Sequence, residues 1–214
     1  MNVTEEKTKK FNTKEIKEMY DDMAKNYDSI AKNAEAIYSK IMYKWILKKV
    51  GSKHLKILAL GCGTGLAEVP FLDKGYEVTG IDLSEKMIEM ARKRPFKKLI
   101  VQDIEKSIDT DKNYDVVLLF GVTEFIRNPL KLFKNIHKKL NDDGIFALTI
   151  PKKPKSGEET PFWMYNKEGI ESIFYKARFE VMGCKEFFGW HNKNSVVYTK
   201  PVDYFGYLLK KRKL

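Results

Sequence analysis

The stretch KILALGCGTGLAEV, Lys56 to Val69, decides how this chain folds. Four apolar residues, Ile57 to Leu60, run straight into glycines at positions 61, 63 and 65. Glycine costs about 0.5–1 kcal/mol relative to alanine inside regular structure, so three in five residues require a cause. A tight turn needs only one. Three predict a strand-to-helix turn where a ligand comes too close for any Cβ. The N–H groups that open the helix would then face an anionic group.

On either side the same alternation continues. Apolar runs at 56–60, 76–82, 98–103, 114–120 and 145–150 read as strands, with amphipathic helices near 66–74, 84–94 and 129–141. Strands rich in Val, Ile and Leu joined by helices predict a parallel sheet covered on both faces, and right-handed crossovers make it an open, doubly wound α/β sheet. After Pro151 a long loop, PKKPKSGEETPFW, leads to a helix near 166–177. Two strands follow, 179–187 and 194–200, pairing as an antiparallel C-terminal hairpin around GWHNKN. At the other end, residues 13–50 have helical spacing. Ile16, Tyr20 and Met23 share one face, and Ile30, Ala34, Ile37, Ile41 and Trp45 outline a second helix. The chain thus divides into an N-terminal helical lid (1–50), a ligand-binding domain (51–200) and a basic C-terminal tail (201–214).

A chain of 214 residues suits one domain with an extension. It is 43% hydrophobic and 32% charged, with no apolar run of the roughly 18–20 residues a membrane span requires. The first fifteen residues lack the apolar stretch of a secretory signal. Cys62 and Cys184 are the only cysteines, outside any CxxC or Cys/His cluster, so neither a metal site nor a disulfide framework is expected. These features predict a cytoplasmic protein. The formal charge of +11 admits two readings, a solvated lysine-rich surface or a polyanion-binding face. Most lysines are scattered among acids, and the one dense block is LLKKRKL, 208–214.

Two carboxylates sharpen the ligand. Asp82 closes the second strand in TGIDLS, where it can accept from both hydroxyls of a ribose, and Ser84 and Glu85 look like the cap and first turn of the next helix. Asp103 ends the third strand, where it can accept from the exocyclic amine of a base. In open parallel sheets ligands lie beyond the carboxyl ends of the strands. The implied ligand is a nucleoside bearing a charged group. A dinucleotide oxidoreductase is the rival, but its fingerprint needs a glycine where this chain has Leu66.

With these residues in hand, ILALGCGTG, VTGIDLSEKMIEMAR, LIVQDIE and YDVVLLFGVTEFIRNP together resemble the core of class I S-adenosylmethionine-dependent methyltransferases. MYDDMAKNYDS, 19–29, resembles the lid helix of the small-molecule branch. The resemblance implies a Rossmann-like fold, with S-adenosylmethionine as cofactor and S-adenosylhomocysteine as product. By it, Gly61, Cys62, Gly63 and Gly65 face the methionine and ribose, and Asp82 holds the ribose diol. Leu83 and Met87 lie against adenine, Asp103 and Ile104 read its edge, and Phe120 and Gly121 lie near the methyl group. Tyr20 and Tyr27 close the site. Two positions depart from the family. Ala59 stands where an acid usually supports the methionine ammonium, and Glu124-Phe125 stands where Glu-His is frequent.

Methyl transfer asks mainly for positioning, because the sulfonium is already a good leaving group. A base matters only for an acceptor that is protonated at neutral pH. Glu124, His191 and Tyr27 are the candidates for contact with the reacting groups. Trp163, Tyr165 and Trp190 could wall a pocket, while His54 and His137 read as surface residues. No Pro-Pro-Tyr type sequence follows the fourth strand and no Pro-Cys pair appears, which disfavours base methylation. The expected acceptor is a small molecule reacting through O, N or C. Nucleic-acid methylation and a catalytically impaired cofactor-binding protein remain as alternatives.

Overall fold

Alternation along the apolar runs sends side chains to both faces of a single sheet. In strand β1 (Lys56–Leu60), Ile57 and Ala59 join one buried cluster and Leu58 and Leu60 the other. Strand β4 (Tyr114–Leu119) repeats this, Val116 and Leu118 against Val117 and Leu119. A sheet apolar on both faces must be covered on both. The computed structural model, which describes residues 10–33, 38–51, 54–110, 113–152, 161–190 and 202–212, shows how. Helices α3 (Tyr38–Val50), α4 (Val69–Leu72) and α5 (Glu85–Ala91) contribute Met42, Ile46, Phe71 and Ile88 to one cluster. Helices α6 (Pro129–Lys139) and α7 (Lys167–Lys176) contribute Leu132, Phe133, Ile136, Ile170 and Phe174 to the other.

The sheet has seven strands in the order β3-β2-β1-β4-β5-β7-β6. Strands β2 (Glu77–Asp82), β3 (Lys98–Val101) and β5 (Leu140–Pro151) run parallel with β1 and β4, and strand order reverses between β1 and β4. Strands β6 (Phe179–Trp190) and β7 (Val202–Lys211) are antiparallel to each other, and β7 is antiparallel to β5. Two N-terminal helices, α1 (Thr13–Met23) and α2 (Tyr27–Asn33), precede α3. Side-chain caps set several helix starts. Asn12 Oδ1 accepts from Lys14 N and Glu15 N while Glu15 returns to Asn12 N, and Ser84, Asn128 and Asn166 cap α5, α6 and α7.

The basic tail expected over 201–214 is corrected: residues 202–211 form β7, inside the sheet between β5 and β6. The lysine block drew attention to charge, but Tyr204 to Leu209 are all buried, and the lysines that reach solvent come after them. The expected strand 194–200 lies outside the described residues, and the antiparallel partner of β6 is β7. The lid boundary at residue 50 also moves. Met42 and Ile46 on α3 are fully buried against the sheet, so α3 belongs to the core and only α1 and α2 stand over the strand ends. Of the second predicted helix, Ala34 and Ile37 lie outside the described residues.

Leu208→Ala is expected to cost about 2–5 kcal/mol of unfolding free energy, because Leu208 is fully buried. Lys210→Ala should stay within about 0.5 kcal/mol of the parent. Urea titrations of both variants check this, and equal effects would show that β7 is not part of the core.

Candidate active site

The glycine loop is shaped by its own backbone. Gly61, Gly63 and Gly65 have φ of 66°, 53° and 81°, all in the left-handed region that glycine alone enters freely. They differ in what a side chain would meet. A Cβ at Gly61 would strike Val122, and one at Gly65 would strike Phe96. At Gly63 the nearest atom would be Met87 Sδ, 4.0 Å away. Two glycines are therefore required by packing, and only Gly63 presents bare backbone to open space. Three loop amides are engaged internally: Gly61 and Cys62 donate to Ile81 O, and Gly65 donates to Cys62 O. The helix expected from residue 66 begins at Val69 and has four residues.

Asp82 joins this loop to the next. One carboxylate oxygen accepts from Gly63 N at 2.7 Å and the other from Ser84 N at 2.8 Å. Burial pushes its pKa up, and the amides of Ser84, Gly63 and Leu83 oppose that rise. Past the strand ends lies a cavity lined by Gly61, Cys62, Gly63, Asp82, Leu83, Asp103, Ile104, Phe120, Gly121, Tyr20 and Tyr27. Eleven residues singled out from the sequence are thus brought together at the point where strand order reverses. The charged groups in its lining are Lys17, Glu68, Asp82, Asp103 and Glu105, so a basic protein encloses an acidic cavity.

Two carboxylates hold the lid helices over it. Asp21 on α1 accepts from Ser84 Oγ at 2.5 Å and from Lys86 N at 3.4 Å. Burial works against the Asp21 carboxylate, but hydrogen bonds from Lys17, Ser84 and Lys86 outweigh it and leave the pKa below its usual value. Asp28 on α2 accepts from Thr64 Oγ1 at 2.5 Å and pairs with Arg94, whose other amine donates to Thr64 O at 2.6 Å. Tyr20 and Tyr27, each one residue earlier, point to the cavity, their ring centroids 6.2 Å apart. Tyr20 meets Phe125 edge-on at 5.6 Å, and Phe125 meets Phe162 at 5.5 Å, so this side is walled by aromatic rings.

Other candidates lie elsewhere. Met87 is fully buried and does not line the cavity, because α5 turns Met87, Ile88 and Ala91 inward. Gly65 is packed under Phe96. Glu124 is 2% exposed, accepts from the Tyr204 hydroxyl at 3.1 Å and is likewise absent from the lining. Asp103 follows β3 by two residues, with Oδ1 capping its own turn through Glu105 N at 3.0 Å. His191 and the side chain of Trp190 lie outside the described residues. Trp163 N donates to Glu124 O and the Tyr165 hydroxyl to Ile126 O, so both residues hold the turn after β4 from behind. His137 is not a surface residue but half-buried against Phe179, and burial lowers its pKa. Among the described residues no group of His, Cys, Asp or Glu is placed to hold a metal ion. Nor is any described helix long and apolar enough to cross a membrane.

A doubly wound sheet with an acidic cavity at its reversal point and helices closed over it is the architecture of a Rossmann-like methyltransferase. The chain belongs to the methyltransferase domain family, whose model matches residues 17–181. It is 26% identical over 171 residues to the ubiquinone biosynthesis O-methyltransferase of Rickettsia prowazekii (strain Madrid E), covering 76% of this chain and 60% of that one. The chain spans about half the length of the curated relatives it matches. Among solved structures, the cyclase SpnF superposes with a TM-score of 0.75 at 16% identity, covering 95% of this chain and 98% of that one. The 1,6-didemethyltoxoflavin-N1-methyltransferase of Burkholderia thailandensis gives 0.70 at 12% identity, covering 100% and 99%.

Replacing both Asp21 and Asp28 by Ala should release α1 and α2. Each hydrogen bond to a charged group is worth about 1.5–3 kcal/mol, less where solvent screens it, so amide exchange over 13–33 should quicken at least about tenfold. Hydrogen exchange read by mass spectrometry tests this, with β1 and β4 as internal controls. Unchanged exchange in the helices would mean apolar packing alone holds them.

Proposed function

We propose that this protein is an S-adenosylmethionine-dependent methyltransferase acting on a small, largely apolar acceptor. The observation that carries the reading is Asp82, fixed between the amides of Gly63 and Ser84 at the end of β2 and facing an acidic cavity. The residues suit the cofactor. Gly63 leaves bare backbone for close approach, and carboxylates predominate in the lining, as a cationic ligand requires. Asp82 would accept from the ribose hydroxyls, and the turn at Asp103 and Ile104 would meet the base. When bound, the cofactor supplies a methyl group already activated on a sulfonium. The chain's part is to orient the acceptor and exclude water, the task of Tyr20, Tyr27 and Phe125. Burial first, and then the nearby carboxylates of Asp82, Glu124 and Glu68, raise the Tyr27 pKa, so its phenol keeps its proton and serves as a donor. Glu124, tied to Tyr204, is a buttress and not a base. An acceptor whose reacting atom is already free of its proton needs no base.

The acidic cavity also speaks against a polyanionic substrate, and the free thiols Cys62 and Cys184 suit a reducing cytoplasm. One observation favours a second reading. SpnF, named a cyclase, shares this fold, so the fold alone does not dictate methyl transfer. Incubation with methyl-labelled S-adenosylmethionine and a panel of small acceptors decides between them: tight cofactor binding without label transfer would favour the second. Retardation of RNA that weakens steeply above about 50 mM salt would instead reinstate nucleic acid as the partner.

Asp82→Ala should weaken S-adenosylhomocysteine binding at least about tenfold by calorimetry, since each unpaired buried hydroxyl costs about 1–3 kcal/mol. Unchanged affinity would remove the assignment. Glu124→Gln should leave kcat within about fivefold, whereas losing a general base costs about 10²–10⁴. A larger drop would restore Glu124 to the chemistry.

A further inference from the structure

Glu68 was not singled out by the sequence, and no part of the mechanism above needs it as an acid or base. It stands between the glycine loop and α4, 3% exposed, and is one of the residues that border the cavity. Its Oε2 is buried with no hydrogen-bond partner. A buried carboxyl oxygen without a hydrogen-bond partner is costly whether or not the group is ionised, and a cation placed beside it would favour the ionised form. No described cation serves. Arg94, the nearest, is committed to Asp28 and to Thr64 O, and Lys17 is committed to Asp21. The other ionisable groups facing Glu68 are Asp82, Tyr27 and Cys62, none of which carries positive charge. Burial is the main reason its pKa is pushed up to about 8; the Asp82 charge adds to the rise, while its own backbone amide and Arg94 oppose it.

The topology says which part of the ligand lies beside it. Strands β3, β2 and β1 are neighbours in that order, and their ends carry Asp103, Asp82 and the glycine loop leading to Glu68. A nucleoside with its base at Asp103 and its ribose at Asp82 extends its third portion over the loop. In S-adenosylmethionine that portion bears two cationic groups. The sulfonium has no proton to donate and cannot satisfy Oε2, whereas the α-ammonium has three. Ala59 is fully buried in the same cluster as Phe71 of α4, the helix that Glu68 precedes.

We propose that Glu68 is the counter-ion of the cofactor's α-ammonium, supplied from the start of α4 where β1 provides only Ala59. This rests on the cofactor reading above. The test is calorimetry of the full chain and of Glu68→Gln with S-adenosylhomocysteine and with its analogue bearing hydrogen in place of the α-amino group. The wild-type protein should prefer S-adenosylhomocysteine at least about tenfold, and Glu68→Gln should lose most of that preference while binding the desamino analogue within about twofold of wild type. Equal loss for both ligands would mean that Glu68 only shapes the loop, and it would overturn the proposal. So would a wild-type protein that binds the two alike, a result that needs no variant to fold. Failure of wild type to bind either ligand would instead bring down the cofactor reading, and this inference with it.

Discussion

Everything at the strand ends depends on one carboxylate held by two amides. Asp82 terminates β2, yet it bonds Gly63 in the loop after β1 and Ser84 at the start of α5. Those bonds fix the spacing between two loops that strand pairing alone would leave adjustable. A carboxylate oxygen can accept more than one hydrogen bond, so these bonds do not exhaust the group. The same group therefore organises the site and contacts what enters it. Ser84 extends the arrangement, because its hydroxyl caps α5 through Met87 N and reaches Asp21 of the lid.

Charge is distributed with a purpose that net composition hides. The chain carries +11 overall, yet carboxylates predominate in the cavity lining, and the two aspartates of the lid face inward to the loops beneath. Screening by salt weakens the exposed lysines far more than these enclosed groups. A cation entering the cavity meets a field set by its near walls and not by the outer surface.

The parallel strands and the glycine loop were legible because their signals are local: apolar runs of strand length, and glycines where φ is positive. Asp82 was legible because strand ends are where such sheets bind ligands. What escaped has a common cause. The role of β7 depends on non-local pairing, and its apolar run was overshadowed by the lysines that follow. Asp21 and Asp28 sit on helix faces that read as solvated, although the repeat of Tyr-Asp at Tyr20 and Tyr27 marked the right turns. Glu68 is a lone acid in GLAEV, with no spacing to announce it.

The placement of β7 has a consequence for how the molecule is made. Among the described residues strand β6 has no neighbour in the sheet except β7, and β7 fills the gap between β6 and β5. Until residues 202–211 leave the ribosome, β5 offers an open edge and β6 has nothing to pair with. Open apolar edges recruit other chains. The nascent protein thus passes through an interval in which the cofactor loops are already synthesised while the sheet behind them is unfinished. Its solubility during synthesis is governed by how quickly one late strand finds its slot.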